Sequence, residues 1–182
     1  MKRESEVVDW LLLDQMRMDS LRLAASLNLN DWCIAAGFVR NLVWDKVHSH
    51  DAATPLNDID LIYFDPLQVA SNIDEAIESE LKAASGLPWS VKNQARMHLR
   101  NEDAPYLSTE HAMKHWVELE TAVGARISSS DRLELVAPFG VARLFAGTIT
   151  LNPRRPKTSD FRHRVESKRW LELWPCLTVV DA

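Results

Sequence analysis

Trp32-Cys33-Ile34-Ala35-Ala36-Gly37-Phe38-Val39-Arg40-Asn41 reads as a short buried strand that stops at a glycine and turns into a helix. Downstream, Asn57-Asp58-Ile59-Asp60-Leu61-Ile62-Tyr63-Phe64 reads as a second strand, alternating in its first part and apolar on both faces in its second. A strand ending in glycine before a helix leaves unpaired backbone N–H groups at a helix N-terminus, where phosphate binds well. Glycine there permits close approach and unusual dihedrals. Arg40, one turn in, can contact phosphate or pair with an aspartate.

In a strand, residues i and i+2 share a face, about 6.6 Å apart along the chain. Asp58 and Asp60 therefore reach toward one point at the mouth of the second strand, while Ile59 and Leu61 pack on the other face. Two convergent carboxylates suit Mg²⁺, with Mn²⁺ as the other candidate, because such ions take carboxylates together with phosphate oxygens. Solvated aspartates opening a strand are the plainer explanation of D-x-D alone. The preceding strand–Gly–helix shifts the balance toward metal and phosphate.

Working outward, Glu4–Leu27 has helical spacing with an interruption near Asp14. Phe38–His48 and Asn72–Ser85 are expected helices, and Trp89–Asn93 an expected strand. Ser108 caps a helix expected to run through Trp116. Ala125–Ser128 and Leu133–Ala137 read as a hairpin, Gly140–Ala146 as a short helix, and Arg162–Leu173 as a terminal one. Residues 152–159, rich in proline and basic residues, read as a linker. The expected fold is α/β (α+β), a mixed sheet with flanking helices in one domain over 1–182. A leading helix over 1–28 and a basic linker plus terminal helix over 152–182 complete it.

The 182 residues carry a net charge of −5, so nothing global draws the chain to nucleic acid or an anionic membrane. Two distant cysteines, Cys33 and Cys176, give no disulfide framework. No apolar run approaches a membrane span, and the charged N-terminus lacks a signal-peptide core. A cytoplasmic protein without membrane contact is expected.

The chain resembles the minimal catalytic core of the DNA polymerase beta-like nucleotidyltransferase superfamily. More closely, it is similar to a bacterial family of small predicted nucleotidyltransferases. The resemblance lies in GFVRNLVWDKVHSH (37–50), LNDIDLIYFD (56–65), SVKNQARMH (90–98), TAVGAR (121–126) and APFG (137–140). It implies a minimal nucleotidyltransferase fold. By position, Gly37, Phe38, Arg40 and Asn41 would hold the triphosphate, and Asp58 and Asp60 would be catalytic and bind metal. Larger relatives add a third carboxylate on a neighbouring strand; Glu118 and Glu134 are the candidates here. The chain departs from the pattern at Val141-Ala142-Arg143, where acids are expected after APFG.

In Ser90–His98, the donors Lys92 and Arg96 suit phosphates or an acceptor's polar groups. His111 and His115 have the i,i+4 spacing of a zinc helix, but Ala112 stands where a metalloprotease needs Glu, so ordinary helix surface is expected. The basic residues from Arg154 to Arg169 fit either an anionic acceptor or a solvated helix. The expected activity is metal-dependent transfer of a nucleoside monophosphate from a nucleoside triphosphate to a hydroxyl acceptor, with release of pyrophosphate. RNA, protein and small molecules are all open as the acceptor. The alternative is a nucleotide-binding or regulatory module without turnover, such as a toxin–antitoxin partner. A D-x-D glycosyltransferase is a weaker third reading.

Overall fold

The computed structural model describes residues 2–181. The expected leading helix is two helices, α1 (Lys2–Leu13) and α2 (Gln15–Ser26). Asp14 divides them: its backbone is extended and its carboxylate accepts from the Arg17 N–H at 3.0 Å, capping α2. Arg17 is fully buried and its Nε donates to the Phe38 carbonyl at 2.8 Å, which ties α2 to the centre of the molecule.

Then come β1 (Cys33–Ala35), α3 (Gly37–Val47), β2 (Ile59–Tyr63), α4 (Ser71–Ser85) and β3 (Trp89–Asn93). A single 3₁₀ turn leads into α5 (Met97–Asn101), followed by α6 (Thr109–Met113). Ser108 does cap α6, accepting from the His111 N–H, but the helix stops three residues short of Trp116. The hairpin β4 (Gly124–Ile127) and β5 (Leu133–Val136) precedes α7 (Ala142–Ala146), β6 (Thr148–Thr150), α8 (Thr158–Ser167), α9 (Trp170–Leu173) and β7 (Thr178–Val180). Among the described residues no helix is long and apolar enough to cross a membrane.

The main sheet has the order β3-β2-β1-β4-β5. Only β2 and β3 are parallel, joined through α4 as a crossover requires. Period-two alternation separates the faces. Ile34, Leu61 and Val91 point into the large core beneath the helices, while Cys33, Ala35 and Ile62 form a smaller cluster with Met113 on the opposite face. Edge strand β3 is sealed by two carboxylates one turn apart on α4: Glu78 accepts from the Val91 N–H and Asp74 from the Asn93 N–H. Gly124 is required by close approach, because a Cβ there would lie 2.8 Å from Cys33 Sγ.

The tail corrects two expectations. Residues 152–159 are fastened rather than loose: Asn152 is fully buried and its amide donates to the Lys114 and Trp116 carbonyls at 2.9 and 2.7 Å. The terminal helix is broken at Arg169, whose φ of 53° is left-handed, into α8 and α9. A second apolar cluster of Trp44, Ile149, Leu151, Phe161, Trp170 and Trp174 packs this tail onto α3. Small strands β6 and β7, parallel to each other, were not legible as strands in the sequence. Their three-residue length carries too little periodicity.

Candidate active site

Helix α3 is buried along nearly its whole first two turns, polar residues included. Its N-terminus opens into a cleft of about 600 Å³, formed between the sheet face bearing Asp60 and the tail. Seven Lys or Arg side chains and four carboxylates line this cleft, so its local charge is opposite in sign to that of the whole chain.

Asp58 stands immediately before β2 and Asp60 within it, both facing the cleft as the alternation requires. In register on β3, Ser90 lies opposite Asp60 and Lys92 opposite Ile62. Burial, and next the charge of Asp58, push the Asp60 carboxyl up to about 6, with Lys168 and Arg40 opposing. Lys168 Nζ is 3.8 Å from Asp58 Oδ2. Two carboxylates crowded at one point, one of them costly to ionise, are a donor pair suited to a divalent cation. Among the described residues no group of three or more His, Cys, Asp or Glu is arranged to hold a metal. The pair fits Mg²⁺, which keeps several waters and draws further ligands from substrate phosphate.

Arg40 is 6% exposed. Its guanidinium carbon lies 5.0 Å from the Trp44 ring centroid and 4.6 Å from that of Trp170. Its two terminal nitrogens donate to Thr121 Oγ1 at 2.8 Å and Asn41 Oδ1 at 2.9 Å. Nε is buried without a partner, and among the described residues no carboxylate lies within ion-pair distance. Burial pulls its pKa down to about 10, against the nearby charge of Glu118. A buried guanidinium lacking an anion is a site for one.

The turn into α3 holds a strained residue, and it is not Gly37. Ala36 has φ 57° and ψ −123°, a conformation unfavourable for any residue with a Cβ. It donates its N–H to the Val123 carbonyl at 2.8 Å, and its own carbonyl accepts from the Arg40 N–H at 3.0 Å. Gly37 sits in the first helical turn, where a Cβ would make ordinary contacts with Arg40 and Asn41 at 3.5 Å. The first N–H groups of α3 have no intrahelical acceptor, and Ala36 and Gly37 line the cleft.

The other expected residues divide. Asn41 supports Arg40 and lines a small neighbouring pocket. The Phe38 side chain is fully buried in the main core under Arg17, so only its backbone faces the helix end. Lys92 lines the cleft, with Nζ donating to the Val91 carbonyl. Arg96 lies outside the cleft lining and is paired with buried Asp74, because Asp74 also accepts from Tyr63 and Asn93 and needs a cation. Glu118 is in the cleft but carries a bidentate pair from Arg164, at 2.6 and 3.2 Å. Glu134 lies on β5 outside the cleft lining, 3.5 Å from Arg126. Arg143 is exposed on α7, also outside the cleft lining. The cleft wall contributed by α8 and Lys168 was missed, although the basic tail was the signal that could have revealed it.

Residues 22–179 match the model of a family described as nucleotidyltransferase. A solved structure described as the NMR structure of a protein that reveals a CCA-adding enzyme head domain has a TM-score of 0.88 at 27% identity. That match covers 100% of this chain and 98% of the other. A CCA-adding enzyme in complex with CTP shares the fold at TM-score 0.59 and 16% identity, over 97% of this chain and 43% of that one. No curated protein matches the sequence.

Proposed function

The chain belongs to this nucleotidyltransferase family, and on that premise we propose that it transfers a nucleoside monophosphate from a nucleoside triphosphate to a hydroxyl acceptor. The acceptor oxygen forms a bond to the α-phosphorus, and the bond to the β-phosphate oxygen breaks to release pyrophosphate. The observation that carries this reading is the convergence of Asp58 and Asp60 in one cleft with the anion-seeking Arg40. Asp58 and Asp60 would hold Mg²⁺, which when bound neutralises phosphate charge and aligns the attacking and leaving oxygens.

The remaining work falls to the protein's own groups. Arg40 binds a phosphate oxygen through the charge that no carboxylate among the described residues neutralises, held rigid by its two indoles. The N–H groups opening α3 donate to phosphate oxygens beside it. Lys168 adds a second cation beside Asp58 and balances the acid pair. The hydroxyl proton passes to a carboxylate oxygen of the acid pair.

A second reading, nucleotide binding without turnover, has one observation in its favour. The strand next to Asp60 presents Ser90 and Lys92 rather than an acid, which leaves two carboxylates in place of three. The exposed position of Arg143, outside the cleft lining, weakens the case against catalysis from the sequence after Gly140.

The test uses purified protein, Mg²⁺ and each α-³²P-labelled nucleoside triphosphate in a cell extract separated into protein, RNA and small molecules. Label entering one fraction with wild type and not with Asp58→Asn establishes transfer and identifies the acceptor class. Nucleotide binding without any incorporation decides for the second reading.

A further inference from the structure

We infer that the end of the cleft at Trp116 receives the nucleobase of the bound nucleoside triphosphate, stacked on the indole with its edge toward Asp160 and His163 of α8. This rests on the nucleotide reading above and adds to it the part of the cleft that reads the base.

Helix α8 runs along the cleft and so gives it a scale. Just beyond its C-terminus Lys168 meets Asp58; one turn back, Arg164 holds Glu118. Asp160 lies a further turn away, so Lys168 and Asp160 are separated by about 12 Å along the helix. The opposite wall runs the same way. Glu118 pairs with Leu151 in an extended bridge, with the Leu119 N–H donating to the Thr150 carbonyl and the Asn152 N–H to the Val117 carbonyl. Trp116 stands two residues before Glu118, at most about 7 Å away along the chain. Both line the cleft. The chain entering α8 is fastened at the same place, since the Asn152 amide donates to the Trp116 carbonyl at 2.7 Å. Trp116 and the N-terminal half of α8 therefore form the end of the cleft remote from Asp58.

Cations line the cleft at both ends, Arg40 and Lys168 near Asp58 and Arg100, Arg155 and Lys157 toward Trp116, and what differs along that length is the aromatic surface. The one other tryptophan in the lining, Trp170, is buried beneath Arg40 and offers no ring face. Trp116 is only half-buried and lines the cleft. Asp160 and His163 are exposed to the cleft, and among the described residues neither side chain has a hydrogen-bond or ion-pair partner. A carboxylate repels phosphate but accepts from a base edge, and an imidazole both donates and accepts. An aromatic platform with unpaired edge-reading groups suits a nucleobase.

The test is calorimetric titration of the full chain in Mg²⁺ with each of the four nucleoside triphosphates and, separately, with inorganic tripolyphosphate. Trp116→Ala is expected to weaken nucleotide binding roughly 5- to 100-fold. Tripolyphosphate binding should stay unchanged, and Trp116→Phe should restore most of the nucleotide affinity. Asp160→Asn should alter the order of preference among the four bases without affecting tripolyphosphate. Nucleotide affinity unaffected by Trp116→Ala overturns the inference and leaves the platform to the acceptor. An equal loss for tripolyphosphate also overturns it, since the residue would then act through the fold. If wild type binds neither nucleotides nor tripolyphosphate, the nucleotide reading itself fails first, and the base site falls with it.

Discussion

The guanidinium of Arg40 lies 4.6 Å from the ring centroid of Trp170, so a residue of the tail covers the cation that α3 presents to the cleft. Sequence separation hides this relationship. It means that the tail is a wall of the site and not an appendage to it.

Arg40→Met should separate binding from stability. The guanidinium is buried and among the described residues has no carboxylate partner, so its removal strands no opposite charge and loses only its bonds to the Thr121 hydroxyl and the Asn41 amide oxygen. Thermal unfolding is expected to move by no more than about 4 °C. Tripolyphosphate affinity should fall about tenfold or more. Unchanged affinity in a folded variant would remove Arg40 from the phosphate site.

Asp60 makes the metal-free protein pH-sensitive. Its carboxyl is raised from 3.8 to about 6 by burial and by Asp58. A raised acid favours the folded state while protonated, so stability falls as pH rises from about 4 to about 6, and the full penalty is present at pH 7. The penalty is at most about 3 kcal/mol. Asp60→Asn should raise the unfolding temperature at pH 7 and flatten that fall, while abolishing transfer. Melting curves from pH 4 to 7 in EDTA check this, and a variant with the same slope as wild type would contradict it.

Ala36 carries backbone strain that glycine would relieve. At φ 57° and ψ −123°, Ala36→Gly should stabilise by roughly 1 kcal/mol, seen as about 2–4 °C in thermal melts. Ala36→Val should destabilise by more than that, since a β-branched side chain fits this conformation worst. A lower melting temperature for the glycine variant would mean the turn is not strained.

Glu118 and Arg164 should behave as a structural pair. Both Glu118 oxygens accept from Arg164, so Glu118→Gln should keep transfer within about tenfold of wild type, where Asp58→Asn eliminates it. Arg164→Ala leaves a buried carboxylate unpaired and should cost about 1–3 kcal/mol in denaturant unfolding, moderated by the partial exposure of Arg164. Loss of activity in Glu118→Gln as complete as in Asp58→Asn would instead identify Glu118 as the third carboxylate.

Much of the fold was open to reading because local chemistry repeats along each element. Alternation placed Asp58, Asp60 and Ile62 on one face of β2 and Ile59 and Leu61 on the other, and the structure keeps that division. The strand at Trp89–Asn93 and the hairpin from Gly124 to Val136 follow the same logic. Gly37 was expected to end the strand, with the helix beginning at Phe38; the strand instead ends at Ala35, the helix takes in Gly37, and the strain beside it belongs to Ala36. Nothing in the side-chain pattern reports a backbone dihedral.

What the sequence determined by itself was the order of the longer elements and the acid pair, because period-two and period-3.6 patterns depend on neighbours only a few residues away. The partners of each charge were decided by tertiary structure alone. Arg96 is drawn to Asp74 because a buried carboxylate needs a cation, Arg164 to Glu118 for the same reason, while Arg40 is left without one between two tryptophans. Those choices follow from which distant segments pack together, and they make one basic side chain a structural clamp and leave another buried without an anion among the described residues.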